Sequence, residues 1–214
     1  MPRRMRWQIS IIFMIEVEKK FSLNEIQEAK LIDSAVFDSE ITIKDSYYDK
    51  PNYELTTKSF WLRNRNGKFE LKTPSGNNAE RGTDHYHEIT TDEEIKSILN
   101  LPIDTPLETA LSTTGYSSFC SFQTTRRKYK NGDFNIDIDL VDYGDNFLYQ
   151  VAEIEVIAED SKAKEAEEAI INFARKLDLD FKIVRGKIIN YLFNKKPEHY
   201  KTLELAGVLR KYEG

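Results

Sequence analysis

Charged and apolar side chains alternate in several short segments of this chain, and the first of these segments is residues 15 to 21. Glu16, Glu18 and Lys20 fall on one side of it, because successive side chains of a β-strand point to opposite faces. The other side is mostly apolar. A strand of this kind either exposes one face to water or lines a cavity with its charged face. Repetition of the pattern in later strands favours the cavity.

The clearest repeat is a β-hairpin centred on Asn66-Gly67. An Asn-Gly pair supplies the positive φ values that a two-residue turn requires. Alternation along its two strands places a tryptophan, two arginines, an acid and a lysine on one face. These residues are Trp61, Arg63, Arg65, Glu70 and Lys72. Left exposed, this face would be an ordinary charged surface; enclosed, it would be an anion site.

Strands further along the chain also carry charge on one face and aliphatic side chains on the other. Their charged members are Glu88, Arg126, Asp137, Asp139, Glu153 and Glu155. Amphipathic helical patterns, such as the one from Ser161 to about Leu177, are available to cover the aliphatic faces. The pattern therefore predicts an α+β fold: a closed or nearly closed antiparallel β-barrel with a charged interior and helices around it.

The organisation of the chain predicts one domain over residues 14–214, because no internal repeat or linker interrupts the pattern. Residues 1–13 are basic and then briefly apolar, without a small-residue cleavage site. They are interpreted as a flexible N-terminal extension or as an upstream start that precedes Met14. No stretch approaches the ~20 apolar residues that span a membrane. We therefore expect a cytoplasmic protein with no membrane partner. We also expect a monomer, because no apolar stripe is left once the helices cover the barrel.

The overall charge limits the partners of the chain. Lysine and arginine number 31 against 36 aspartates and glutamates, a net charge of −5. Electrostatic binding of nucleic acid is therefore not expected, and any anion site must be a local basic cluster. The single cysteine, Cys120, excludes an internal disulfide and a thiolate metal cluster.

The two families of interior charge indicate a polyanionic ligand held together with a metal ion. Arginine binds phosphate oxygens through two donors, and lysine acts as a point charge. Carboxylates would repel phosphate at pH 7, but they are oxygen ligands for Mg²⁺ or Mn²⁺, which bridge them to phosphate. His85, His87 and His199 are poor alternatives as ligands, because they lie at a strand start and on a late helix.

These residues, taken in order, match a known family. Glu16-x-Glu18-x-Lys20 resembles the ExExK signature of the CYTH family, the triphosphate tunnel metalloenzymes. The match becomes specific through the later segments: residues 61–65, 69–72 and 86–90, Arg126, Asp137-x-Asp139, Glu153-x-Glu155 and Lys187. Their order and spacing are similar to the animal-type thiamine triphosphatase branch of that family, over about residues 14 to 205.

The resemblance implies an antiparallel tunnel of roughly eight strands that binds a triphosphate with Mg²⁺ or, alternatively, Mn²⁺. It implies phosphate contacts from Lys20, Arg63, Arg65, Lys72, Arg126 and Lys187. It implies metal binding or water orientation by Glu16, Glu18, Glu88, Asp137, Asp139, Glu153 and Glu155. Among these residues, Lys20, Arg63 and Glu155 are expected to be catalytic. Trp61 is expected to stack on the organic part of the substrate, although a tryptophan in a strand is also an ordinary core residue.

The reaction that the resemblance implies is metal-dependent hydrolysis of thiamine triphosphate to thiamine diphosphate and phosphate. No Ser, Cys or His is placed as a nucleophile, so no phosphoenzyme is expected. An inorganic triphosphatase, another nucleoside triphosphatase or an adenylyl cyclase of the same fold remain alternatives. A non-catalytic module that binds polyphosphate or nucleotide is a further alternative, which the many carboxylates argue against.

Overall fold

Eight antiparallel strands form a closed barrel in the computed structural model, which describes residues 14–75 and 83–209. The strands are β1 (Met14–Phe21), β2 (Val36–Asp49), β3 (Trp61–Arg65), β4 (Lys68–Pro74), β5 (Thr83–Ile89), β6 (Ser117–Asn131), β7 (Phe134–Asp142) and β8 (Leu148–Glu159). Their order around the barrel is β1-β5-β4-β3-β2-β6-β7-β8, and β8 closes onto β1. The predicted fold class is confirmed. The extension predicted at residues 1–13 lies outside the described residues.

Six α-helices accompany the barrel in the described ranges. They are α1 (Glu25–Asp33), α2 (Asp92–Leu99), α3 (Leu107–Thr113), α4 (Ala163–Lys176), α5 (Lys187–Lys195) and α6 (Pro197–Leu205). Helix α1 begins at a capping box in which Asn24 and Gln27 exchange backbone and side-chain hydrogen bonds. None of the described helices is both long enough and apolar enough to cross a membrane.

The hairpin predicted at Asn66-Gly67 is present. Asn66 and Gly67 have φ values of 49° and 90°, as a primed two-residue turn requires. The turn pairs Arg65 with Lys68 and Trp61 with Lys72. This register fixes which side chains of β3 and β4 enter the barrel.

The outer face of the barrel is buried under helices on two sides. Helices α1 and α4 cover β1, β7 and β8, where Val17, Ile154 and Ile170 are fully buried. Helices α2 and α3 cover β3 and β4, around Leu71 and Ile95. Burial of each such side chain contributes about 1.5–3 kcal/mol. On these two sides the apolar half of the alternating strands therefore packs against the helices, and the charged half faces inward; part of β2, including Val36 and Ile41, is exposed.

Helices α5 and α6 pack on an apolar cluster that includes inward-facing residues of the barrel. Tyr47 and Trp61 from β2 and β3 pack in this cluster with Ile188, Leu192 and Leu203 from the helices. The first turn of α5, including Lys187, also lines the barrel cavity. The interior therefore has a charged region and, next to it, an aromatic and apolar region.

Candidate active site

The barrel encloses a cavity of about 300 Å³. Among the described residues, seven basic and seven acidic side chains line it. The basic ones are Lys20, Arg63, Arg65, Lys72, Arg126, Lys128 and Lys187. The acidic ones are Glu16, Glu18, Asp84, Glu88, Asp137, Glu153 and Glu155. Every predicted site residue lies on this wall except Asp139, which is fully buried behind Arg126.

Three of the predicted metal ligands form a carboxylate cluster. Strand pairing places Glu18 directly opposite Glu155, and Glu16 lies two residues away on the same face of β1. One carboxylate oxygen from each of the three lies within 4.8 Å of the others. Like charges at directly opposed positions destabilise a pair of strands. The cluster therefore favours a cation, or a proton, between the two strands.

Burial raises the pKa values of two carboxyls of this cluster, Glu18 and Glu155. Burial, together with the nearby charges of Glu16 and Glu18, raises the pKa of Glu155 to about 8. Burial opposes ionisation of Glu16 too, but the adjacent Lys72 ammonium outweighs it and lowers the pKa of Glu16 to about 2. Among the described residues, Glu155 forms no ion pair; Asn135 donates a hydrogen bond to it at 3.0 Å.

The carboxylate cluster fits a small divalent cation. Its donors are hard oxygens from three side chains, the kind of ligand that Mg²⁺ and Mn²⁺ prefer. The raised pKa of Glu155 reflects burial and charge repulsion that a bound cation would relieve. Glu16, Glu18 and Glu155 are therefore the residues that would hold the metal.

The other predicted carboxylate ligands are engaged in ion pairs. The Arg126 guanidinium donates to both oxygens of Asp139 at 2.7 Å and to Glu153 at 2.9 Å, and it also contacts Asp137. The Lys187 ammonium donates to Asp139 at 2.6 Å and to Glu153 at 3.1 Å. Despite burial, Lys187 and Arg126 hold the pKa of Glu153 well below its usual value. A metal role for Asp137, Asp139 and Glu153 stays a prediction.

Arg63 and Arg65 are held at fixed positions by acidic partners. Arg63 donates to Glu70 at 2.7 Å and to Glu88 at 2.9 Å, so the metal role predicted for Glu88 also stays a prediction. Arg65 makes a two-point contact with Asp45 at 2.8 and 2.9 Å. Such pairing orients the donors of both guanidinium groups before a ligand arrives.

Sequence reasoning missed Asp84 and Lys128 on the cavity wall. Asp84 accepts a hydrogen bond from Lys20 at 2.7 Å, and Lys128 lies 3.1 Å from Asp137. Strand parity could have identified both residues: Asp84 has the parity of Glu88 on β5, and Lys128 has the parity of Arg126 on β6. Arg127 has the opposite strand parity; it does not line the cavity and pairs with Glu28 of α1 at 2.6 Å.

Trp61 lies where the charged part of the cavity meets its apolar part. Its side chain is 8% exposed, and its indole N–H donates to the Tyr86 hydroxyl at 3.2 Å. Ile188, Ile189, Val208 and Leu209 line the cavity in the apolar part. The cavity therefore offers both a phosphate-binding wall and an apolar wall.

His199 lies in a separate buried network. Its ring stacks on Tyr53 with 3.8 Å between ring centroids, and its Nε2 atom lies 2.8 Å from the Thr56 hydroxyl. Thr56 in turn donates to Asp49 at 2.7 Å. This network fastens α6 to the segment between β2 and β3.

A closed antiparallel barrel with clusters of basic and acidic residues inside defines a charged-tunnel protein, and comparison with known proteins gives the family. The chain belongs to the CYTH domain family, which matches residues 14–183. Thiamine-triphosphatase from Homo sapiens is 26% identical over 209 residues, covering 89% of each chain. The protein of that name from Macaca fascicularis has the same identity and coverage.

Two solved structures share the fold of this chain. The PH1819 protein from Pyrococcus horikoshii OT3 has a TM-score of 0.61 and 23% identity, covering 85% of this chain and 99% of its own. A candidate adenylyl cyclase from Hippeastrum with a dominant triphosphatase activity has a TM-score of 0.56 and 14% identity, covering 94% of this chain and 100% of its own.

Proposed function

We propose that this chain hydrolyses thiamine triphosphate to thiamine diphosphate and phosphate, in a reaction that depends on a divalent metal. The observation that carries the proposal is the arrangement of the cavity. A basic wall, a three-carboxylate cluster and an aromatic residue face the same enclosed space. The mammalian relatives named thiamine-triphosphatase support this choice of substrate.

The balance of charge in the cavity supports the dependence on metal. The seven basic side chains of the wall are matched by seven acidic ones, so the wall has little net positive charge. A triphosphate carries several negative charges and would meet the carboxylates as well as the cations. A divalent cation on Glu16, Glu18 and Glu155 would neutralise phosphate oxygens as a Lewis acid. Mg²⁺ is the proposed ion, and Mn²⁺ has the same ligand preference.

The basic side chains have the main task in the proposed reaction. Phosphoryl transfer needs positioning and charge neutralisation more than covalent chemistry. Arg65, Lys72, Arg126 and Lys187 would hold the phosphate chain. Lys20 and Arg63 would neutralise the transferred phosphoryl group.

Glu155 is the proposed residue for orienting the attacking water and taking its proton. Without metal its pKa is about 8, and a bound cation would keep its carboxyl ionised, which is the form that accepts a proton. The reaction then needs no nucleophile from the protein.

Trp61 would distinguish thiamine triphosphate from inorganic triphosphate. A cationic thiazolium ring over an indole gains about 0.5–2 kcal/mol, whereas inorganic triphosphate has no ring to stack. Inorganic triphosphatase activity is the second candidate function, because the charged wall is complete without Trp61. The monomeric state and cytoplasmic location expected from the sequence stay predictions.

The test compares phosphate release from thiamine triphosphate, inorganic triphosphate and ATP at equal concentration, with Mg²⁺ and then with a chelator. Trp61→Leu tests the stacking role. Phe69→Leu is the matched control, since Phe69 is 8% exposed like Trp61 but packs in the cluster under α2 and α3, outside the cavity. We expect Trp61→Leu to lower kcat/KM for thiamine triphosphate by about 2- to 30-fold and to spare inorganic triphosphate.

Three outcomes would count against parts of the proposal. Equal losses on both substrates would refute stacking by Trp61. A wild-type protein that prefers inorganic triphosphate would refute the thiamine assignment and leave the second candidate. Release of no phosphate from any of the three would refute the hydrolase.

A further inference from the structure

Residues 184–187, which lead from α4 into the first residue of α5, form a segment of the cavity wall. Val184, Gly186 and Lys187 line the cavity from this segment. Three successive carbonyl groups in it accept hydrogen bonds. Arg185 accepts from the Tyr149 hydroxyl at 2.6 Å, Gly186 from the backbone N–H of Asn190 at 2.8 Å, and Lys187 from the Tyr143 hydroxyl at 2.6 Å.

The two tyrosines lie on either side of the turn between β7 and β8. Tyr143 follows the last residue of β7, and Tyr149 is the second residue of β8. The backbone N–H of Tyr143 donates to the Phe147 carbonyl at 3.0 Å, which holds the turn. The Tyr143 ring also packs edge-to-face on Phe122, with centroids 5.3 Å apart. Contacts within the barrel therefore hold the two tyrosines in position, independently of their hydrogen bonds to this segment.

Gly186 shows how closely this segment approaches the charged wall. A Cβ atom at Gly186 would lie 3.0 Å from Cε and 3.5 Å from Cδ of Lys20. Its φ of −65° is open to any residue, so a side chain at this position is limited by space and not by backbone conformation: the Lys20 side chain would have to move by a few tenths of an ångström. A shift of the segment would therefore move both Lys20 and the neighbouring Lys187.

We propose that Tyr143 and Tyr149 are positioning residues for the phosphate site. Their hydroxyl groups clamp the carbonyls on either side of Gly186, so that Gly186 packs on Lys20 and the Lys187 ammonium reaches Asp139 and Glu153. The inference rests on the proposed function, in which Lys20 and Lys187 bind phosphate oxygens. The two tyrosines at the turn between β7 and β8 would then support phosphate binding without contacting the substrate.

The test uses Tyr143→Phe, Tyr149→Phe and the double variant in the full chain. These changes remove the hydroxyl groups and keep the rings. Tyr200→Phe is the matched control: the Tyr200 ring packs on Phe193, and its hydroxyl is not one of the two that donate to the carbonyls of Arg185 and Lys187. Three quantities are measured: amide hydrogen exchange of residues 184–192, binding of inorganic triphosphate with Mg²⁺, and kcat/KM on the best substrate.

In the double variant we expect faster exchange in residues 184–192 and a loss of about five- to tenfold in triphosphate affinity and in kcat/KM. The thermal midpoint should stay close to that of Tyr200→Phe. Gly186→Ala should produce a similar loss by displacing Lys20 directly. Its effect should be less than additive with the double variant, because both changes act on one contact.

Two outcomes would overturn the inference. One is exchange in residues 184–192 that matches the Tyr200→Phe control. The other is faster exchange with unchanged triphosphate affinity, which would make the clamp purely structural. If the wild type cleaves no triphosphate, the proposed function fails by itself. The clamp would still be supported by weaker triphosphate binding in the double variant.

Discussion

Glu155 makes metal binding by this protein dependent on pH. Burial and the charges of Glu16 and Glu18 raise its pKa to about 8, and a cation in the cluster must displace that proton. At about pH 6, two pH units below this pKa, roughly one molecule in 100 has Glu155 ionised. The affinity for Mn²⁺ should therefore be about 100-fold weaker at pH 6 than at pH 9, and almost constant above pH 9.

Calorimetric titration of Mn²⁺ tests this expectation. Runs at about pH 6.5 in two buffers that differ in ionisation enthalpy should report close to one proton released per ion, and runs at pH 9 close to none. Glu155→Gln is the control, because it removes the titrating group: binding should be weaker and nearly independent of pH. Equal affinity of the wild type at pH 6 and pH 9 would refute the reasoning. An unchanged pH dependence in Glu155→Gln would assign the proton to another group.

Two further predictions concern stability. Arg126→Met removes the guanidinium from the buried carboxylates of Asp139 and Glu153. It should lower the free energy of unfolding, measured by urea denaturation, by about 3–5 kcal/mol. A loss below about 1 kcal/mol would contradict the buried pairing. Burial lowers the pKa of His199 to about 4 from its ordinary 6.5, so the unfolded chain binds a proton that the folded chain does not. The free energy of unfolding should therefore fall as the pH drops from 6.5 to 4, by up to about 3 kcal/mol from this residue. The urea midpoint of His199→Gln should decline less steeply over this range than that of the wild type. Parallel declines in the two proteins would exclude His199 as the cause.

Much of the fold could be predicted from the sequence because strand parity is a local property. Alternation along residues 15–21 placed Glu16, Glu18 and Lys20 on one face without any knowledge of their neighbours. The Asn66-Gly67 turn fixed the hairpin register, so Arg63 and Arg65 could be assigned to the same face as Lys72. The same rule would have found Asp84 and Lys128, had it been applied to every strand.

The partners of these charges could not be predicted from the sequence. Parity makes Glu155 and Glu153 equivalent, since both face inward from β8. Pairing of β1 with β8, strands separated by most of the chain, places Glu155 opposite Glu18 and Glu153 opposite Lys20. One carboxylate therefore joins a cluster that fits a metal, and the other joins an ion-pair network with Arg126 and Lys187.

The sequence alone determined the alternation, the turn and the charged interior, because each depends on residues that are neighbours along the chain. Only the tertiary structure decided which carboxylates gather and which are neutralised by cations. It also decided that Tyr143 and Tyr149 reach the carbonyls around Gly186. The physical reason is that electrostatic and hydrogen-bond energies depend on distances of a few ångströms between atoms, and barrel closure sets those distances between residues far apart in sequence.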